Sequence, residues 1–262
     1  MLNAKQIDTY SEELYEALRA RHTVDPLTER TPDITIDEAY QVSLGILARR
    51  EAAGERVVGK KIGATSRAVQ DMLKVDQPDF GFLTDRMHCA EGAPIPVSKE
   101  LIQPRAEGEI AFVLKHDLVG PGVTNADVLA ATAGVKVCFE IVDSRVRDWK
   151  IKIQDTVADN ASCGLFVASD TLVDPHSIDL STCGMVVWKN GELVATGAGA
   201  AALGSPVNCV RWLANALGKY GVALKAGDII LSGSLVPLIP ITAGDEMEVA
   251  VGGLGRLKAR FT

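Results

Sequence analysis

From about residue 95 to the C-terminus the chain breaks into short runs rich in β-branched residues, each bounded by turn formers. They are GEIAFVLK, VKVCFEIVDS, CGLFVAS, CGMVVWKNGELVA, GDIILSGSLVPLI and GDEMEVAVGGLGRLKARF. Only two helical interludes interrupt them, at Asn125–Thr132 and Pro206–Tyr220. Parallel βαβ units need a crossover helix after nearly every strand, so an alternating α/β sheet is excluded. The pattern predicts an α+β chain with a mixed β-roll or barrel-like core. Asn190-Gly191 between two of the runs predicts a hairpin, because this pair accepts the positive φ values of a tight two-residue turn.

The first part of the chain has a different texture. Ile7, Tyr10, Leu14 and Leu18 recur at helical spacing and predict an amphipathic helix over residues 3–22. Thr35-Ile36-Asp37-Glu38 has the spacing of a capping box and predicts a second helix from Thr35 to about Ala53, closed by Gly54. RVVGKKIGAT reads as a strand leading into a loop, and SRAVQDMLKV as a short helix opened by Ser66. Residues 1–70 are therefore expected to form an N-terminal helical segment contributing Lys60, and residues 71–262 the catalytic β-roll domain.

Composition narrows the function. With 47% hydrophobic residues over 262 positions, the chain has enough apolar surface for a sizeable core. Its formal net charge is −7, from 27 basic and 34 acidic residues, so nucleic acid is not an expected partner. An anionic substrate would need a local positive centre, either a metal or a placed lysine. No apolar run approaches the roughly 20 residues a membrane helix requires. The N-terminal stretch is amphipathic and acidic rather than a basic leader. The cysteines Cys89, Cys138, Cys163, Cys183 and Cys209 are scattered without CxxC spacing, which points to reduced thiols and the cytoplasm. The histidines His22, His88, His116 and His176 flank none of the acidic motifs, so zinc chemistry and a serine-hydrolase triad are not expected.

The chemistry concentrates in PRAEGEIAF and VCFEIVD. On a strand Glu107 and Glu109 point to one face. They are either two solvated glutamates on an exposed edge or a pair that needs a cation between them. Glu140 stands inside an apolar β-run and needs a partner if buried. Three carboxylates from two strands suit a hard divalent ion that prefers oxygen ligands, magnesium or manganese. Of Lys60 and Lys61, alternation turns one inward and the other outward. Asp79 in QPDFG has good turn chemistry and gains interest only if its loop folds over the metal. The polar, loop-like stretch DTVADNAS could present Asn160 or Ser162 as hydrogen-bond donors, and Ser234 in LSGS could do the same; ordinary turn structure is the alternative for each.

The segments GKKIGATSRAVQDMLKVDQPDFGFLTD, LIQPRAEGEIAFVL, FEIVDSR, WKIKIQDTVADNASCGLF, GAGAAALGSPVNCVRWLAN and AGDIILSGSLVPLIPITAGD resemble the 2-hydroxypenta-2,4-dienoate hydratases of the fumarylacetoacetate hydrolase superfamily. The resemblance runs over nearly the whole chain. It implies a β-roll like that superfamily's C-terminal domain, and a hydro-lyase of meta-cleavage aromatic catabolism that yields 4-hydroxy-2-oxopentanoate. It implies a magnesium or manganese site on Glu107, Glu109 and Glu140, and catalytic Lys60 and Asp79. Lys61 would then lie on the opposite face. Asn160, Ser162 and Ser234 are expected at the substrate. A homo-oligomer, pentamer or decamer, and a complex with 4-oxalocrotonate decarboxylase are also implied. The alternative activity is that of the decarboxylase itself, acting on 2-oxohex-3-enedioate.

Overall fold

The computed structural model describes residues 1–73 and 75–262. The N-terminal layer holds α1 (Ala4–Ala20), α2 (Leu27–Arg30) and α3 (Ile36–Ala52). The expected capping box is present at α3: the Thr35 hydroxyl accepts from Glu38 N at 3.2 Å, and the Glu38 carboxylate accepts from Thr35 N at 2.9 Å. Leu14, Ala17, Val42 and Ile46 line the inward stripes of α1 and α3 and form a small apolar core of their own.

Strands follow in chain order: β1 (Val57–Gly63), then, after α4 (Arg67–Leu73), β2 (Asp79–Thr84), β3 (His88–Cys89) and β4 (Pro94–Ile95). After α5 (Val97–Glu100) come β5 (Arg105–Leu114), α6 (Asn125–Ala131) and β6 (Thr132–Val142), then α7 (Ile153–Ala158) and β7 (Cys163–Ala168). The chain ends with β8 (Gly184–Lys189), β9 (Glu192–Ala198), α8 (Pro206–Gly218), β10 (Ile229–Leu231), β11 (Ile239–Pro240), β12 (Glu246–Val251) and β13 (Gly255–Phe261). Ser66 immediately precedes α4, as the sequence predicted; Lys74, at the far end of that expected helix, lies outside the described residues.

Eight strands form the larger sheet in the order β2-β1-β10-β5-β6-β7-β3, with β11 also on β5, and five form the smaller one, β4-β13-β12-β8-β9. The pairing is mixed, with β1 parallel to β10 and β5 antiparallel to β6. The mixed α+β roll expected from the sequence is the architecture found. Asn190 and Gly191 take φ of 54° and 84° in the β8–β9 hairpin, as their dipeptide predicted. The main core fills the space between the sheets with Ile110, Phe112, Val137, Phe139, Val187, Val249 and Leu257. Alternation along β5 and β6 therefore sends Glu107, Glu109 and Glu140 to the opposite face of the larger sheet.

Two expectations change. The division at residue 70 falls beyond β1, which is an interior strand of the larger sheet, so the helical layer ends with α3. DTVADNAS, expected to be a polar loop, contains the end of α7. Ile153, Val157 and Ala158 bury against the α1–α3 core, so its anchors lie in a distant part of the chain. Asp155 fastens this helix: Oδ1 accepts from Thr28 N at 3.0 Å, and Oδ2 accepts from Thr28 Oγ1 at 2.7 Å and Lys152 N at 2.9 Å. A second tie comes from Tyr40 on α3. Its ring stacks on Phe80 at 4.2 Å and its hydroxyl accepts from Phe80 N, on the strand that carries Asp79.

Asp155→Ala strands two buried donors of Thr28 and the half-buried Lys152 N–H, and should lower unfolding free energy by about 2–4 kcal/mol, read from urea denaturation followed by circular dichroism. A loss below about 0.5 kcal/mol would show that the helical layer does not depend on this carboxylate.

Candidate active site and metal centre

Glu107 on β5 stands directly across from Glu140 on β6, and Glu109 follows two residues on. One oxygen from each of the three carboxylates lies within 4.8 Å of the others. Glu109 Oε2 accepts from Gly233 N at 2.8 Å, while Glu109 Oε1 and both oxygens of Glu140 have no hydrogen-bond partner although buried. Such orphaned acceptors are expensive unless something positive binds them. Burial, with Glu140 and Glu107 alongside, pushes the Glu109 carboxyl well above its ordinary range. Burial raises Glu140 too, against the pull of Lys61. Glu107 keeps some solvent contact as a residue, but its carboxyl group is packed round by protein; burial and Glu140 push it up to about 8. This donor set fits a hard divalent cation, whose charge would remove the repulsion and whose coordination would use the orphaned oxygens.

The lysine assignment is reversed. Lys61 pairs with Leu231 of β10, which pairs with Ala111 of β5, so the three share the glutamate face. Lys61 Nζ lies 3.2 Å from Glu140 Oε1, an ion pair without hydrogen-bond geometry, and donates to the Ala161 carbonyl at 3.1 Å. Burial alone would pull this ammonium down, but Glu140, Asp79 and Glu107 together hold it above its ordinary value. Lys60, the expected catalytic lysine, lies on the other face with Ile62 and forms a buried ion pair with Asp228 at 2.8 Å. The adjacent strands, not the dipeptide, decide which lysine faces the acids. A one-sided clue existed in the sequence: Lys60 shares a face with Ile62, and Lys61 shares one with the small Gly63.

Asp79 reaches the same place from β2, opposite Gly63 of β1. A Cβ on Gly63 would stand 2.2 Å from Asp79 Oδ1 and 3.2 Å from Lys61 Nζ, so the bare glycine makes the approach of these two charged groups possible. Asp79 Oδ1 is buried without a hydrogen-bond partner. Burial raises the Asp79 carboxyl in spite of Lys61. The expected substrate-facing side chains are otherwise engaged. Asn160 Oδ1 accepts from Phe82 N at 2.8 Å and its Nδ2 donates to Phe82 O at 3.0 Å, so its amide clamps a strand. Ser162 Oγ pairs with Thr156 Oγ1 at 3.1 Å, and Ser234 Oγ donates to Val236 O at 2.6 Å.

The raised carboxylates predict a pH signature. A folded state that binds more protons than the unfolded one loses stability as pH rises. For Glu107 the contribution is complete below 4.5 and is lost as pH rises through about 8. Metal-free protein should therefore lose stability between these limits, by at most about 1.4 kcal/mol per pH unit from one such group. The difference in denaturation midpoint between wild type and Glu107→Gln isolates it. Added divalent cation should stabilise most at the alkaline end; a flat difference across the window would show that Glu107 is not held protonated.

Comparison with known proteins identifies the family. Residues 50–262 match the model of the fumarylacetoacetate (FAA) hydrolase C-terminal domain. The chain is 67% identical to a 2-hydroxypent-2,4-dienoate hydratase of Pseudomonas putida over 83% of its own length and 98% of the relative's. It is 56% identical to a 2-hydroxyhexa-2,4-dienoate hydratase of Comamonas testosteroni over the full length of both chains. Among solved structures, the 4-oxalocrotonate decarboxylase of Pseudomonas putida G7, complexed with magnesium and adipate, superposes with a TM-score of 0.96 at 38% identity, covering 100% of this chain and 99% of the other. The chain therefore belongs to the fumarylacetoacetate hydrolase family.

Proposed function

We infer that the protein is a metal-dependent hydratase that adds water to 2-hydroxypenta-2,4-dienoate and yields 4-hydroxy-2-oxopentanoate, a step of meta-cleavage aromatic catabolism. The observation that carries this reading is the buried Lys61–Asp79 pair set beside three converging glutamates, in a chain whose close relatives bear hydratase names. Held by Glu107, Glu109 and Glu140, magnesium or manganese would supply Lewis acidity and the positive charge that an acidic protein otherwise lacks for an anionic 2-hydroxy acid. The decarboxylase structure from Pseudomonas putida G7 is complexed with magnesium, which supports the choice of a hard ion.

The chain's own groups handle the protons. Asp79, with one oxygen unengaged, takes the proton from the enol hydroxyl of the substrate. Lys61, held protonated by its acidic neighbours, donates to C5, which gives a 2-oxo-3-enoate. Water then adds at C4, losing a proton to the Lys61–Asp79 pair, and the pair returns one to C3. The balance is one water gained and no net proton. Burial of Lys61 and Asp79 keeps bulk water away from these transfers.

The same scaffold serves a decarboxylase, whose substrate carries a second carboxylate at its far end. Asp79 beside the glutamates adds negative charge there and disfavours a dicarboxylate. A homo-oligomer, pentamer or decamer, belongs to this reading. The edge strand β9 supports it by leaving Leu193 and Val194 exposed. A cytoplasmic site of action and a complex with 4-oxalocrotonate decarboxylase also belong to it. No helix among the described residues is long and apolar enough to cross a membrane.

Purified protein with magnesium or manganese should consume 2-hydroxypenta-2,4-dienoate, seen as loss of ultraviolet absorbance, and should release no carbon dioxide from 2-oxohex-3-enedioate. Asp79→Asn should cut hydration about 10²–10⁴-fold with metal affinity kept. Rapid carbon dioxide release by the wild type would instead make it the decarboxylase.

The two lysines should separate cleanly. Lys61→Met should lower kcat about 10²–10⁴-fold, and in metal-free protein it should also cost stability, since it removes the cation beside buried Glu140. Lys60→Met should keep kcat near that of the wild type but cost about 3 kcal/mol in urea denaturation, because it leaves Asp228 buried without its cation. The opposite pattern would return the catalytic role to Lys60.

A further inference from the structure

We propose that Arg145, Asp159 and Asn160 are positioning residues, which hold the Asn160–Ala161–Ser162 turn so that the Ala161 carbonyl fixes the Lys61 ammonium beside Asp79. The proposal rests on the reading of Lys61 as the proton donor and deepens it.

The turn does not hold itself. Asn160, Ala161 and Ser162 take φ of 53°, 51° and 52°, three consecutive left-handed residues with no glycine among them. L-residues visit this region singly, so a run of three needs restraint from outside. One buried guanidinium grips both ends. Arg145 Nε donates to Asp159 Oδ1 at 2.5 Å and Arg145 Nη2 to the Asp159 carbonyl at 2.6 Å, just before the turn. Arg145 Nη1 donates to the Cys163 carbonyl at 3.0 Å, just after it, and also to the Asp143 carbonyl. The backbone N–H of Arg145 completes the set at Asp159 Oδ2, 2.8 Å away.

Asn160 fixes the turn against the sheet. β2 is an edge strand, and the Asn160 amide meets the outward N–H and C=O of Phe82 as a neighbouring strand would. The approach requires Gly81, since a Cβ there would lie 2.5 Å from the Asn160 carbonyl oxygen. Gly81 in turn pairs with Lys61 across β1–β2. The turn, the edge strand and the lysine are thus joined in one ring of contacts, closed by the Lys61 Nζ bond to Ala161 O at 3.1 Å. A lysine has a flexible four-carbon stem, and a fixed acceptor for one of its protons limits where the others can point. Proton delivery to a chosen carbon depends on that aim.

Asn160→Gly tests this, because glycine takes the left-handed backbone without a penalty and loses only the clamp on Phe82. Its kcat should fall about ten- to hundredfold, while KM and the magnesium affinity measured by titration calorimetry stay within about twofold of wild type. Asp159→Asn loosens the same turn from its other end and should show the same split between kcat and KM. Wild-type kcat in Asn160→Gly overturns the proposal, as does a loss of magnesium affinity that matches the loss of kcat. If Asn160→Gly does not fold, the split in Asp159→Asn decides; failure of both to fold also overturns it, since the turn would then be a fold determinant. Lys61→Met run alongside keeps the two readings apart. If it turns over normally, the proton-donor reading fails. If it is inactive while Asn160→Gly is normal, only the role of the turn is lost.

Discussion

Mutual repulsion among Glu107, Glu109 and Glu140 governs how the rest of the larger sheet is built. Carboxylates within 4.8 Å of one another, two of them fully buried, could not stay ionised in a bare apolar setting. Two nearby groups act against that penalty. The Gly233 amide gives Glu109 one donor, and Lys61 brings a positive charge to Glu140. Around them Leu83, Ala111, Cys138, Phe166 and Leu231 form a small apolar patch that keeps water out and the carboxyl groups in place. The remaining imbalance favours a dication, so the resting site is tuned for a metal and for the anionic 2-hydroxy acid that accompanies it.

Much of this was legible in the sequence because it rests on local rules. Thr35 and Glu38 announce a helix start by spacing alone, and Asn190-Gly191 announces a hairpin by the φ values it accepts. Glu107 and Glu109 share a face by alternation, which needs no knowledge of neighbouring strands. Lys60 and Lys61 show where local rules stop. Alternation separates the two, but only the pairing of β1 with β10, and of β10 with β5 more than 100 residues earlier in the chain, says which one meets the glutamates. The α7 segment fails for a related reason. Ile153 and Val157 have helical spacing, but the helix spans only Ile153–Ala158 and its apolar partners come from α1 and α3. Asn160 was singled out as a polar group free for substrate; its engagement with Phe82 depends on an edge strand that composition does not reveal.

The helical layer is therefore more than an appendage. Thr28 and Tyr40 reach from it to Asp155 and Phe80, and so brace α7 and β2, the two elements that flank the Asn160–Ser162 turn and carry Asp79. Three consecutive left-handed residues cost roughly 1–2 kcal/mol each. Arg145 and Asp159 offset that strain with a dense set of buried charge-assisted bonds. Relatives with hydratase and decarboxylase names share this fold.

The buried pair of Lys60 with Asp228 has a consequence of its own. Adjacent lysines on one strand are nearly interchangeable in chemistry, so a slip of β1 by one residue could put Lys60 where Lys61 stands. The slipped state would set Lys60 before the glutamates and force the Lys61 side chain into the apolar space between the sheets, away from Asp228. Strand registers specified only by apolar patterning are prone to such errors when both faces carry similar groups. Asp228 distinguishes the two lysines by accepting one of them at 2.8 Å on the far side of the sheet. It thereby works as a registration pin, and it leaves β1 unable to absorb a single-residue insertion or deletion without losing the alignment of Lys61 with the glutamates.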